Sequence, residues 1–152
     1  MTTACKVIHA LRGKSLVTAE SCTGGGIGAA LTAVAGASEV YKGGIISYCN
    51  ELKQALLGVS SGILETWGAV SEPTAVAMAE GARKLLKADI AVSVTGLAGP
   101  GGDEFGHEVG TVFIGFADSR KSLAKEYHFS GDRESVRRQA AEEALLLILE
   151  CI

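Results

Sequence analysis

The chain has 152 residues, 47% hydrophobic and 20% charged, with a formal net charge of −3. That length and balance fit one globular domain able to bury a core without disulfide or metal staples, and they exclude a disordered chain. The mild negative charge offers no basic field for phosphate backbones, so no nucleic-acid partner is expected. No apolar run reaches the length of a membrane span, so no membrane partner is expected. Met1–Lys6 lacks a continuous apolar signal region, and a cytoplasmic location is expected.

In chain order, Val7, Ile8 and Leu11 fall at helical spacing and predict an amphipathic helix over 3–12, ended by Gly13. Ser15–Ala19 reads as a strand and Ile27–Val34 as a helix, closed by Gly36–Ser38. The second half of Tyr41–Cys49 reads as a strand rich in β-formers. Asn50 is a good N-cap for a short helix from Glu51 to Leu57. Lys53 then sits in the first turn, the unfavourable end of the helix dipole for a cation. Gly58 interrupts, Ser60–Thr66 reads as a short helical piece, and Gly68–Val70 is an extended link. Ser71-Glu72-Pro73 starts a helix that runs to about Lys87, with Val76, Ala79, Leu85 and Leu86 as its core-facing stripe.

Asp89–Thr95 is the most strand-like run, and its small or apolar residues on both faces predict a central, doubly covered strand. A glycine-dense loop, Gly96–Gly102, follows and extends toward Glu108. Val109–Ala117 and Ser122–Phe129 read as a hairpin. Asp132 caps a last helix whose buried face is Val136, Ala140, Ala144, Leu145 and Ile148. The order predicts an α/β fold in which residues 1–152 form a single domain. It is a three-layer α/β/α sandwich with a mixed, mostly parallel sheet of about five strands.

Thr18–Gly26 is where chemistry concentrates: after the strand, Ser21–Gly26 puts two hydroxyls, a thiol and three glycines at a strand-to-helix turn. Glycines let backbone approach a ligand, and the free N–H groups of a helix start favour an anion or a developing oxyanion. A nucleophile beside such donors is half of an acyl-transfer site. The same pattern also serves as a plain tight connection. Gly24–Ala29 fits the dinucleotide fingerprint in outline, but the acidic residue due about 20 positions on is replaced by Ile45, Ile46 and Ser47. Walker and G-x-S-x-G patterns are absent. Cys5, Cys22, Cys49 and Cys151 form no C-x-x-C pair, and His9, His107 and His128 are scattered, so free thiols and no metal site are expected. Cys22 and Ser21 are both candidate nucleophiles. Ser21 with Lys53 is the better pair, because serine needs a base and a lysine of lowered pKa can be one. Glu51 would raise that pKa if it faced the amine.

Six segments carry a wider pattern: Thr18–Gly25, Gly43–Asn50 with Lys53, Gly68–Pro73, Thr95–Gly102, Gly110-Thr111, and Gly131–Arg133 with Val136–Gln139. In these the chain resembles the C-terminal domain family of the competence/damage-inducible protein CinA. The resemblance implies hydrolysis of the carboxamide of nicotinamide mononucleotide to nicotinic acid mononucleotide and ammonia, with Ser21 as nucleophile and Lys53 as general base. Tyr48, Thr95 and Arg133 match auxiliary polar positions, with Arg137 and Arg138 near enough to leave the choice of arginine open. Cys49 departs from relatives that carry serine. Larger members have an additional N-terminal molybdopterin-binding-like domain for which this length has no room, so no activity of that domain is expected.

In the combined reading, backbone N–H groups of the Thr23–Gly26 turn hold the oxyanion, with Thr23, Gly24 and Gly25 as substrate-binding residues. The Gly99–Gly102 loop, through Gly99 and Gly101, holds the substrate phosphate with Arg133, and Thr95 is a further substrate-binding residue. Lys53 or Tyr48 returns the proton to ammonia. The expected partners are a pyridine nucleotide and further copies of the chain in a homo-oligomer, with no cofactor. Two other readings stay open: a non-catalytic nucleotide-binding module, and an amidase for another small amide.

Overall fold

A computed structural model describing all 152 residues contains β1 (Leu16–Glu20), β2 (Tyr41–Ile46), β3 (Ile90–Gly96), β4 (Thr111–Ala117) and β5 (Ser122–His128). They form one sheet in the order β2-β1-β3-β4-β5. β1 pairs in parallel with β2 and β3, while β3–β4 and β4–β5 are antiparallel. Only β4 therefore runs against the rest, and the expected mixed, mostly parallel sheet is the one observed.

Helices cover both faces. α1 (Thr3–Ala10), α2 (Gly26–Thr32) and α6 (Arg133–Cys151) enclose one core with Val92, Val94, Val112, Ile114 and Phe116 of the central strands. α3 (Asn50–Leu57), α4 (Ser61–Trp67) and α5 (Glu72–Leu86) enclose another with Val17, Ala19, Ala91 and Ala117. The period-2 alternation thus separates large side chains toward α6 from small ones toward α5. α5 lies close to the sheet as a result: Ser93 Oγ donates to Ala75 O at 2.6 Å, and a Cβ on Gly115 would meet Ala75 O at 2.5 Å.

This close approach corrects the expected stripe on α5. Its buried face runs through Thr74, Ala75, Met78, Ala79 and Ala82, Val76 is half-buried, and Leu85 is 53% exposed. Apart from Met78, the side chains on this inner face are small. Three further expectations shift. β2 occupies the first part of the 41–49 run, which frees Ser47–Cys49 to connect to α3. Asn50 is the first residue of α3, and Cys49 takes the N-cap position without a side-chain bond. β4 starts at Thr111 because Val109 lies in the exposed loop before it.

Since β1, β2 and β3 are parallel, their carboxyl ends lie together. The segments that leave them, starting at Ser21, Ser47 and Leu97, gather at one end of the sheet, where open α/β sheets bind ligands.

Candidate active site

Ser21 is the first residue beyond β1. Its N–H donates to Val94 O at 3.0 Å, and Ser47 N–H donates to Glu20 O at 2.9 Å, so both neighbouring strands hold the turn. The chain then passes through Gly24 (φ 58°) and Gly25 (φ 106°), a left-handed geometry that glycine adopts without strain. Gly25 has no side chain to cap α2, and Glu20 supplies the missing acceptor. Its Oε1 accepts from Thr23 Oγ1 at 2.6 Å and Ile27 N at 2.8 Å, and its Oε2 from Gly28 N at 3.0 Å. Gly24 N–H donates to Ser21 O and Gly26 N–H to Thr23 O. The helix-start donors are thus taken within the protein. The N–H groups of Cys22, Thr23 and Gly25 are claimed by no other residue.

Lys53 is 1% exposed. Its Nζ lies 3.0 Å from Ser21 Oγ, 2.8 Å from Ser47 O and 3.5 Å from Tyr48 O. Burial lowers its pKa below the ordinary lysine value, with the nearby Cys49 and Cys22 thiols acting weakly the other way. Glu51 is exposed and plays no part in that shift. A neutral amine has two N–H donors and one lone pair. With the two carbonyls taking the donors, the lone pair is left for the Ser21 hydroxyl. Cys22 is the weaker candidate nucleophile: burial pushes its thiol up to about 11 despite Lys53 and Arg137 nearby.

A cleft of about 390 Å³ gathers Ser21, Tyr48, Lys53, Thr95, Gly99, Gly101 and Arg133. Arg133 bridges two of its walls, donating from Nη1 to Gly99 O at 2.5 Å and from Nη2 to Tyr48 OH at 2.9 Å. Thr95 is buried, and its hydroxyl donates to Ala69 O at 2.8 Å. Of the other arginines, Arg137 reaches the back of the turn after Ser21, donating from Nε to Cys22 O at 3.0 Å and from Nη2 to Thr23 O at 3.2 Å. Arg138 lies in a separate concavity between α2 and α6.

Thr23, Gly24 and Gly25 are not brought into the cleft with the others. Thr23 turns its hydroxyl to Glu20. Gly24 faces Arg137, and Gly25 faces Ile46, whose Cδ1 would lie 3.3 Å from an added Cβ.

Three cleft residues escaped the sequence reading: Asp103, Glu104 and Phe105, on the long loop between β3 and β4. Asp103 ties this loop down. Its Oδ2 meets His107 Nδ1 at 2.7 Å, and its Oδ1 accepts from the N–H groups of Phe105 at 3.1 Å and His107 at 2.9 Å. Burial opposes the Asp103 charge, but these bonds outweigh it and hold the carboxyl below its usual range. The dense run of glycines that marked the loop ends at Gly102, and Asp103–Phe105 follow it with no motif of their own. Glu20 was legible in principle, because an acid just before a glycine-rich helix start suits the dipole.

A model of the CinA C-terminal domain matches residues 2–152. The nicotinamide-nucleotide amidohydrolase PncC of Escherichia coli is 47% identical over 135 residues, 88% of this chain and 82% of that protein. A CinA-like protein of Prochlorococcus marinus is 58% identical over 106 residues, 70% of this chain and 25% of that protein. The chain spans about a quarter to a third of the CinA-like proteins it matches. The crystal structure of a CinA-superfamily protein from Klebsiella pneumoniae superposes with a TM-score of 0.94 at 37% identity, covering 97% of this chain and 94% of that one. Both the sequence match and the shared fold extend over nearly every residue, and on that ground the chain belongs to the CinA C-terminal domain family.

Proposed function

We propose that this protein is an amidohydrolase that converts nicotinamide mononucleotide to nicotinic acid mononucleotide and ammonia through a Ser21–Lys53 pair. The substrate comes from the name borne by the Escherichia coli relative. The observation that carries the chemistry is the 3.0 Å separation of Lys53 Nζ and Ser21 Oγ, with the amine otherwise held by backbone carbonyls. A serine beside a base of lowered pKa is an activated nucleophile.

Ser21 Oγ passes its proton to Lys53 Nζ and attacks the carboxamide carbon. The unclaimed N–H groups of Cys22, which lines the cleft, and of Thr23, whose hydroxyl turns away to Glu20, receive the oxyanion, in place of the whole Thr23–Gly26 turn. As the tetrahedral intermediate collapses, the C–N bond breaks and Lys53 returns its proton to the leaving nitrogen, releasing ammonia. Tyr48, held by Arg133, is the second group able to carry that proton. Water then attacks the acyl-enzyme with Lys53 again as base, and Ser21 recovers its proton. Arg133 and the Gly99–Gly101 segment take the substrate phosphate, since a guanidinium and backbone N–H groups suit that anion. Thr95, whose hydroxyl is tied to Ala69 O, shapes the cleft floor.

Ammonia release from nicotinamide mononucleotide by the wild type and by Ser21→Ala tests this reading, alongside calorimetric binding of the same compound. The expected result is preserved binding with turnover lowered by orders of magnitude. Binding without ammonia release by the wild type would leave a nucleotide-binding module instead.

A further inference from the structure

Two charged side chains outside the dyad converge on the segment that carries Ser21. Glu20 enters from β1 and Arg137 from α6. Neither makes an ion pair, so neither serves the ordinary purpose of a charge in a folded chain. Both act on the main chain or side chains of one short connection. Glu20, 2% exposed, holds Thr23 Oγ1 and the N–H groups of Ile27 and Gly28. Arg137 holds the carbonyls of Cys22 and Thr23.

The consequence follows from peptide planarity. In a trans peptide the C=O and the following N–H point in opposite directions. Arg137 draws Cys22 O toward the α2–α6 side, where its own guanidinium lines the concavity that excludes Ser21. The Thr23 N–H, on the same peptide plane, is thereby directed away from that side. Ser21 O is held in turn by Gly24 N–H at 3.1 Å, which directs the Cys22 N–H away from Gly24. Glu20 secures the far end by fixing Thr23 and the start of α2 against the end of β1. It also occupies the helix-start donors, which would otherwise compete for an anion. Donors aimed in advance at a developing oxyanion are worth far more than donors that must turn to meet it.

We propose that Glu20 and Arg137 are positioning residues that hold the Cys22 and Thr23 amides in register with Ser21. This rests on the function proposed above. The test uses the full chain with Arg137→Lys, which keeps the charge and loses the two-point grip, and Glu20→Gln, which keeps the shape and loses the charge and one acceptor. Three quantities are read: kcat and KM for ammonia release from nicotinamide mononucleotide, calorimetric affinity for that compound in a Ser21→Ala background, and amide hydrogen exchange over residues 22–28. The expected result is a kcat lowered about 10- to 100-fold with KM and affinity within about twofold, because the loss falls on an oxyanion donor and not on substrate binding. Exchange at Gly24 and Gly26, whose N–H groups are bonded to Ser21 O and Thr23 O within the turn, should quicken in both variants while the rest of the sheet stays protected. A kcat within about twofold of wild type in both folded variants would overturn the proposal, as would a loss carried by KM and affinity. Should Glu20→Gln fail to fold, Arg137→Lys carries the test alone, since Arg137 is solvent-exposed on its helix. If the wild type releases no ammonia, the proposed function fails, while wild-type exchange at Gly24 and Gly26 in Arg137→Lys would overturn the brace by itself.

Discussion

Replacing Lys53 by methionine removes the amine and keeps most of the side-chain volume. The effect on turnover should be large, because loss of a general base weakens catalysis by about 10²–10⁴-fold. The effect on stability should be small, because two changes oppose each other. Ser47 O, at 2.8 Å from Nζ, loses its donor, which for a buried group costs about 1–3 kcal/mol. Against this, the buried amine and its desolvation are gone. At about 2–4 °C per kcal/mol for a chain of this size, the melting temperature near neutral pH should move by no more than about 5 °C.

The pH dependence carries the sharper signature. The folded pKa of Lys53 lies below the ordinary 10.5, so between that lowered value and 10.5 the unfolded chain binds the extra proton. In that window Lys53 makes wild-type stability rise with pH, and below it the penalty of burying the cation is present in full. Lys53→Met lacks this contribution. The wild type should therefore gain on the variant as melting is followed from about pH 8 to about pH 10. Ammonia release and thermal melts on the same preparations read both effects. A variant that keeps more than about a tenth of wild-type turnover, or a stability difference that stays flat over that range, would refute the role of Lys53 as a buried base.

Three other outcomes are expected. Gly81→Ala would place a Cβ 1.8 Å from Leu57 O; with overpacking typically worth about 1–3 kcal/mol, its melting temperature should fall by several degrees, and a shift under about 1 °C would contradict the close approach of α5 to α3. Iodoacetamide at mildly alkaline pH should label exposed Cys49 and spare Cys22, whose thiol is pushed up to about 11; peptide mass spectrometry showing Cys22 modified first would reverse that assignment. Arg133→Gln should raise KM about tenfold with a smaller change in kcat, through loss of its charge and its bridge between Gly99 and Tyr48; an unchanged KM in steady-state kinetics would remove Arg133 from phosphate binding.

Local signals located the elements better than they located their faces. The last helix was legible as a whole: Asp132 caps it through Ser135 N, and its buried positions follow one helical stripe of apolar residues. α5 was misread at Leu85 because its inner face is set by Ala91, Ser93, Gly115 and Ala117 across the sheet, a tertiary restriction that hydrophobic periodicity does not contain. Ser21 and Lys53 were each singled out, but their contact depends on parallel pairing of β1 and β2, which brings Ser47 beside Glu20. The glycine turn looked like a ligand cradle, and two of its helix-start N–H groups together with the Thr23 hydroxyl proved to be occupied by Glu20 from the same motif. The cleft wall at Asp103–Phe105 lies in a loop with no periodicity to read.

The placement of Glu20 bears on the proposed role of Lys53 as a base. A carboxylate paired with the Lys53 amine would favour its charged form and keep the proton on it. Glu20 is buried one residue from Ser21, the nearest acid in sequence to the nucleophile, yet it does not pair with Lys53. The unpaired N–H groups of α2 and the Thr23 hydroxyl take its charge instead. Lys53, for its part, meets two carbonyls and one hydroxyl, and a neutral amine satisfies all three by donating to the carbonyls and accepting from the hydroxyl. Each buried group is thus satisfied by dipoles rather than by the other's charge. Removing one member of a buried ion pair typically destabilises by about 3–5 kcal/mol, because it strands the partner's charge. No such partner exists here. Substitution at Lys53 should consequently leave the fold standing while it stops the chemistry, a separation that an ion-paired lysine could not show.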